Sequence, residues 1–514
     1  MSDAIFATQS PVDASPLDEV EATSPDAIAE LVTKARGAQA EWAAMPLYDR
    51  IDAILEVKKR VLTRAEEIAD LVHREVGKPI EEAALAEVLP NADLVDYWCT
   101  SIEELLDVQP VDLDPIAYPG KSGAIELIPR GVVALITPWN YPVAIPLRTL
   151  IPALLAGNAV VFKPSEISPR CGALVASLFE GIVPAGLVSL VQGGRAVGEA
   201  VVAADIDLVV FTGSVPTGRA IAVACAERLI PCSLELGGKD AAIVLADCDL
   251  ERAAQGVVWG AFTNAGQNCA AIERVYVDKA IAKAFTDRVV AITKELRPGV
   301  DTAFMTTEAQ RQKVKAHVES AREAGAEILT GGDPDEDDAG LTFPPTVIEV
   351  SGEQGEAEFM TEETFGPLLP IAVVDGPDEA VERVNASRYA LTTSIWTKKT
   401  KQGRALAKRL RSGVVTINNH AFTGALPSAP WTGTGDTGYG ITNSPHALHS
   451  LTRPRFILVD RNSQKRELWW YPYTPALRKI AFAMAKARGG AGVGGRIAAV
   501  GELLTNLPKR LLGG

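Results

Sequence analysis

Apolar residues recur along the chain with two different periods, and the change falls near residue 131. From Ser24 to Val108 the spacing is helical. Leu31, Ala35, Ala38 and Trp42 return at three- and four-residue intervals behind Ser24-Pro25-Asp26, a helix-start signature. Beyond Gly131 short β-rich runs take over: VVALIT at 132–137, AVVFK at 159–163, VSLVQ at 188–192, LVVFT at 208–212 and AAIVL at 241–245. Helix-length stretches, such as 168–180 and 216–229, separate them. Strands alternating with helices predict a parallel, doubly wound α/β sheet. A second α/β region spans 240–435, with apolar runs at 274–277, 346–350, 369–374, 391–396 and 413–417. Residues 1–25 are polar and Pro/Ser-rich, an extended lead-in. The acidic run Asp333–Asp338 would need Gly at 338 and Glu at 344 to be a calcium loop; the chain has Asp and Pro there, so it reads as a solvated turn.

Composition narrows the functional classes. At 47% hydrophobic and 22% charged, the 514 residues describe a globular chain with ample core. The net charge of −15 is uneven: residues 461–514 hold ten Lys/Arg against two acids, which leaves −23 on residues 1–460. Nucleic acid is excluded as a partner of that acidic body, because phosphate binding needs a basic face. The first cation is Lys34 and no uncharged run reads as a spanning helix, so the expectation is a cytoplasmic protein. Six cysteines show no C-x-x-C and no zinc-ligand spacing with His, so no metal site is expected.

One cysteine nevertheless stands out. Cys269 lies in NAGQNCAAIERVYV, 264–277, among small and amide residues that leave room for a substrate beside the thiol. Three other segments carry complementary chemistry. LELGGKD, 234–240, puts Glu235 before two glycines; TPWNYPV, 137–143, puts the amide of Asn140 at a strand end. FTGSVPTG, 211–218, is a strand, a Gly-Ser turn and a helix start, an arrangement that offers N–H groups and a hydroxyl to phosphate. A thiol nucleophile, a carboxylate base and an amide donor make an acyl-transfer constellation beside a nucleotide site.

Taken in order, TPWNYP, NAVVFKPSE, FTGS, LELGGKD, GQNC and EETFGP resemble the aldehyde dehydrogenase superfamily from about residue 25 to 460. The resemblance implies an α/β fold with a Rossmann-type cofactor domain, a catalytic α/β domain and a β-strand oligomerisation arm. The boundaries it implies are 26–239 for cofactor binding (with arm strands at about 110–130), 240–435 for catalysis, 436–460 for the return and arm, and 461–514 for a basic amphipathic extension. It also implies roles. Cys269 attacks the aldehyde, Asn140 and the Cys269 N–H hold the oxyanion, and Glu235 activates the water that hydrolyses the thioester. Contacts to the dinucleotide fall to Thr137, Pro138, Trp139, Lys163, Ser165, Glu166, Gly193, Phe211, Gly213, Ser214, Leu236, Gly237, Glu363 and Phe365. A carboxylate at Glu166 favours NAD⁺, whereas Lys163 leaves NADP⁺ as the alternative. Dimers or tetramers are expected through the arm.

Tyr141, Arg148 and Asn268 are the expected substrate contacts. In succinate-semialdehyde dehydrogenases an arginine at the place of Arg148 holds the substrate carboxylate. A second arginine common in those enzymes is replaced here by Thr263. The expectation is a short ω-carboxylated aldehyde, against aromatic or long-chain aldehydes; a non-catalytic scaffold is the reading from another class. The literal G-x-G-x-x-G at Gly490–Gly495 follows no strand and reads as a break between tail helices. The tail pairs an aromatic cluster, RELWWYPY, with basic amphipathic helices. That pattern suits cover over the body or a neighbouring subunit, or peripheral membrane contact.

Overall fold

Apolar runs flanked by Gly and Pro become strands buried on both faces, and this determines where the layers lie. The computed structural model describes residues 5–6, 8–115, 117–335, 339–420, 422–490 and 492–511. The chain divides into two compact units, one of residues 1–107 and 127–454, the other of residues 108–126 and 455–514.

In the larger unit, β1 (Val132–Ile136), β2 (Ala159–Lys163), β3 (Val188–Leu190), β4 (Leu208–Thr212) and β5 (Cys232–Glu235) form one sheet in the order β3-β2-β1-β4-β5. Every neighbouring pair is parallel; Ile136 stands opposite Lys163 on one side and Phe211 on the other. All five residues of β1 and of β2 are buried, as expected for parallel strands covered on both faces. The chain runs from β1 outward to β3, then returns to the far side of β1 for β4 and β5. Ligand crevices open at the carboxyl ends of strands at such a reversal. β5 was not legible as an apolar run because its four residues, CSLE, alternate in polarity.

The second sheet contains β6 (Asp240–Val244), β7 (Ile272–Asp278), β8 (Glu327–Thr330), β9 (Thr346–Val350), β10 (Leu368–Val374), β11 (Thr392–Trp396) and β12 (Val414–Ile417). Their order is β8-β9-β10-β7-β6-β11-β12, parallel except for β8 at the edge.

Helices cover the first sheet. Ser24 caps α1 (Pro25–Ala44) by accepting from the Asp26 N–H at 3.3 Å, and Ile28, Val32, Ala35, Ala38 and Trp42 are its buried face. Leu31 is only half-buried; Val32, one residue on, takes the core position expected of it. The helical stretch is several segments rather than one run, because Pro46, Gly77 (φ 80°) and Pro79 interrupt it. The Trp42 indole donates to the Leu154 carbonyl (2.7 Å), fastening α1 to α2 (Ala144–Leu155), the helix that follows Asn140.

Gln109–Val111, Lys121–Pro129 and Thr452–Asp460 lie side by side in a three-stranded sheet, which contributes residues 109–111, 121–126 and 455–460 to the smaller unit. Two helices, Pro475–Ala485 and Val493–Leu511, pack on each other in the same unit. Val493 to Gly495 are already helical, so the Gly-rich break is shorter than the motif suggests; Ala491 lies outside the described residues. Of the acidic run, Asp333 pairs with Arg322 at 2.6 Å, and residues 336–338 lie outside the described residues.

Candidate active site

Four strand ends and one strained turn assemble the site. Thr137 to Asn140 follow β1, Lys163 ends β2, Gly213 and Ser214 follow β4, and Glu235 ends β5. Cys269 follows a 3₁₀ turn, Thr263–Gly266, at the end of α3 (Leu250–Phe262). Asn264 (φ 50°), Ala265 (φ 52°) and Gly266 (φ 70°) are successive left-handed residues, a conformation that costs about 1 kcal/mol or more at each non-glycine position. A Cβ on Gly266 would collide with the Gly366 carbonyl, so the third position requires glycine.

Gln267 holds that turn. Fully buried, it donates to the carbonyls of Asn264 (3.1 Å) and Phe304 (3.0 Å) and accepts from the Thr306 N–H (2.9 Å). The Gln267 carbonyl accepts in turn from the side-chain amides of Asn140 (3.1 Å) and Asn264 (3.0 Å). Asn140 thereby commits one N–H to the cysteine turn and keeps its second, while its Oδ1 is buried with no hydrogen-bond partner among the described residues. The Asn140 carbonyl accepts from the Lys78 ammonium (3.0 Å), which also pairs with Glu87 (2.5 Å) and lies 3.7 Å from the centre of the Tyr141 ring. Glu87 accepts from the N–H groups of Val143 and Ala144 at the start of α2. A fully buried ion pair thus locks the segment carrying Asn140 and the helix carrying Arg148. Sequence reasoning missed Lys78, Glu87 and Gln267: only their burial distinguishes them from surface polar residues.

Cys269 and Glu235 are electrostatically coupled. Burial raises the Cys269 thiol far above its ordinary range, and the Glu235 charge raises it further. Burial lifts the Glu235 carboxyl to about 7; Thr442 and Arg148 pull it back down. Glu235 Oε1 is buried without a protein partner among the described residues. A neutral thiol thus faces a base poised near neutrality. Asn268 positions the turn by accepting from the Ala270 N–H (3.1 Å), and its Oδ1 lies 3.8 Å from the thiol.

A cavity of about 710 Å³ reaches this thiol. Tyr141, Arg148, Asn268 and Cys269 line its inner part, and Leu85, Trp259, Leu296, Val300 and Phe422 contribute an apolar outer part. Burial lowers the pKa of the Arg148 guanidinium, opposed by the charges of Glu235 and Cys269. No acidic group among the described residues lies within ion-pair distance of Arg148. The Thr263 hydroxyl donates to Glu82 (2.8 Å), whose carboxyl pKa is raised by burial.

The residues expected to meet the dinucleotide lie at or just beyond the carboxyl ends of β1 to β5 and on the loop before β10. Lys163 is buried, with its ammonium on the Pro164 carbonyl (3.1 Å) and 3.4 Å from Glu166, whose side chain is half exposed. Ser165 is buried and accepts from the Ile167 N–H. Ser214 is the exposed N-cap of a helix, Val215–Glu227; Phe211 lies in β4, Gly213 follows it, and Gly193 follows β3. Leu236 and Gly237 follow β5. Glu363 accepts from the Gly238 N–H (2.8 Å), and burial raises its carboxyl to about 7. Phe365 (φ 57°) packs edge-on against Trp139 at 5.6 Å. A second buried pair, Lys239–Glu273 (2.7 Å), fixes that loop, because Glu273 also accepts from the N–H groups of Thr364 and Phe365. The crevice fits a dinucleotide: the Thr137 hydroxyl is buried and unpartnered among the described residues, a half-exposed carboxylate stands beside a buried ammonium, and a helix N-terminus faces the strand ends.

Residues 1–457 match the Aldehyde dehydrogenase family. The chain is 35% identical over 474 residues to "4,4'-diapolycopene aldehyde oxidase" of Methylomonas sp, covering 91% of this chain and 88% of that one. It is 35% identical over 455 residues to "Putative succinate-semialdehyde dehydrogenase (NADP⁺) 2" of Mycobacterium ulcerans, covering 87% of each. The solved NAD⁺ complex of an aldehyde dehydrogenase from Bacillus cereus superposes with a TM-score of 0.85 at 29% identity, covering 89% of this chain and 94% of that one.

Proposed function

The chain belongs to the aldehyde dehydrogenase family and oxidises an aldehyde to a carboxylic acid with NAD(P)⁺, and on that premise we propose that Cys269, Glu235 and Asn140 carry the chemistry. The Cys269 sulfur attacks the aldehyde carbon and its proton leaves to solvent. The resulting thiohemiacetal oxyanion is held by the free N–H of Asn140 and the backbone N–H of Cys269. When bound, the dinucleotide supplies the hydride acceptor, and the crevice residues Thr137, Trp139, Lys163, Glu166, Ser214, Glu363 and Phe365 would hold it. Loss of hydride leaves a thioester on Cys269. Glu235 takes a proton from water, the hydroxide equivalent adds to the thioester carbon, and the acid departs as the thiol re-forms.

The substrate we assign is an aldehyde bearing a carboxylate that reaches Arg148. One observation carries this: Arg148 is a guanidinium on the cavity wall shared with Cys269, with no acidic partner within ion-pair distance among the described residues. An unpaired desolvated cation is costly, and a substrate anion would satisfy it bidentately. The test compares kcat/KM for succinic semialdehyde, benzaldehyde and dodecanal, each with NAD⁺ and NADP⁺, using Cys269→Ala as blank. Arg148→Ala should raise KM for succinic semialdehyde at least tenfold, about the loss expected from one charge-assisted pair. Unchanged KM would remove the assignment. The apolar outer cavity favours a second reading, a long apolar aldehyde, since about 710 Å³ is enough to enclose a drug-sized ligand. Preference for dodecanal would select it.

We further assign the strands Lys121–Pro129 and Thr452–Asp460 to contact with a second copy, because nearly the whole of the latter edge strand is exposed. The cytoplasm is the compartment we infer, from six cysteines that are all free.

A further inference from the structure

The residues assigned to the chemistry and to the dinucleotide all precede residue 460, and the family match ends at residue 457. That segment carries its own pattern. On the helix Val493–Leu511, Val493, Ile497, Val500, Leu504 and Leu507 recur every three or four residues and are all exposed. They form a single stripe. The packed side of the same helix is different: Ala499 is buried and Leu503 half-buried, facing the helix Pro475–Ala485, whose Ile480 and Ala483 are also buried. The stripe is therefore a second apolar face, left over after the hairpin has formed.

Two further features share this unit. Trp469, Trp470, Tyr471 and Tyr473 are exposed ahead of the hairpin, and Phe482 is 63% exposed between the exposed cations Arg478, Lys479 and Lys486. Of the two acids in residues 461–514, Glu467 is already neutralised by Lys121 at 2.5 Å. What the unit presents outward is aliphatic, aromatic and cationic.

We propose that residues 461–514 dock this enzyme on an anionic lipid surface. Aliphatic side chains of the stripe would enter the headgroup–acyl boundary, tryptophan and tyrosine would sit at the headgroup level, and Arg/Lys would meet lipid phosphates. Charge selects lipid over tail-to-tail contact with a second copy: two such tails would bring +8 against +8. The body, at −23, is repelled by the same surface, so the tail is the part that approaches it. Contact is peripheral, since no helix among the described residues is long and apolar enough to cross a membrane.

The test is co-sedimentation of the full-length enzyme with phosphatidylcholine vesicles, with and without phosphatidylserine, at low and high salt. Binding should require phosphatidylserine and weaken with salt. Arg478→Glu with Lys479→Glu should lower the partition coefficient roughly 25-fold or more, at about fivefold per basic residue lost from an anionic surface. Ile497→Ser with Leu504→Ser should lower it at least about tenfold through lost apolar burial. Both double variants should keep wild-type aldehyde oxidation, which shows that the catalytic unit is folded. Absence of sedimentation, or equal sedimentation with either vesicle, would overturn the proposal. So would a change of oligomeric mass in the Ile497→Ser, Leu504→Ser variant with vesicle binding unaltered, which would assign the stripe to a protein partner.

Discussion

Replacing Glu235 by glutamine separates the two halves of the reaction and tests the site's electrostatics at once. Burial lifts this carboxyl from 4.5 to about 7. The ionised fraction then rises from about one-tenth at pH 6 to about nine-tenths at pH 8, a roughly ninefold gain in competent base. The Cys269 thiol is pushed in the same direction but far higher, so it does not titrate in this window. If hydrolysis of the thioester limits turnover, steady-state kcat should follow that rise, whereas the first-turnover burst of NAD(P)H should not. In Glu235→Gln the burst should persist and steady-state turnover should fall about 10²- to 10⁴-fold, the usual worth of a general base.

Stability should move the opposite way. A carboxyl with a raised folded-state pKa holds its proton more tightly in the folded than in the unfolded protein between pH 4.5 and 7. Stability from this group is therefore greatest below pH 4.5 and declines as pH rises to 7. The full shift corresponds to about 3 kcal/mol at pH 8, an upper bound because relaxation and solvent reduce it. Glu235→Gln removes this cost, so the variant should match wild type in thermal unfolding near pH 4.5 and exceed it at pH 8. Stopped-flow absorbance and differential scanning fluorimetry across pH provide both measurements. A flat wild-type kcat from pH 6 to 8 in an enzyme that shows a full first-turnover burst, or a burst lost in Glu235→Gln in proportion to steady-state turnover, would refute the assignment of Glu235 to water activation.

Other substitutions probe the supports of the site. Lys78→Met strands Glu87 as a buried unpaired carboxylate and should lower stability by about 3–5 kcal/mol, read by denaturant unfolding. Gln267→Ala removes three buried hydrogen bonds from the left-handed turn and should cost at least about 3 kcal/mol while lowering kcat more than it raises KM. Unchanged stability in either variant would contradict its buried role. Glu166→Gln removes the half-exposed carboxylate beside Lys163 and should improve kcat/KM for NADP⁺ relative to NAD⁺ about fivefold, measured with a single aldehyde.

Local pattern and local chemistry were readable in the chain. Parallel strands buried on both faces are written as unbroken apolar runs, so β1, β2 and β4 were visible, as were the helix start at Ser24 and the turn around Cys269. The short alternating strand ending in Glu235 was not, because its two polar positions hide it until the fold buries Ser233 and Leu234. The same limit applies to the site. That a cysteine, a carboxylate and an amide were available could be seen from residue types and their order. Their pairing depends on contacts between residues far apart in sequence. Lys78 with Glu87, and Lys239 with Glu273, are ordinary charges until the fold removes them from water. The amino-acid sequence therefore determined which groups are available to react and the α/β layering, which depend on residue type and short-range spacing. Tertiary structure decided the poise of Glu235 near neutrality, the absence of an acidic partner for Arg148 among the described residues, and the apolar stripe of the tail, because each depends on which surfaces the packed chain hides and which it leaves uncovered.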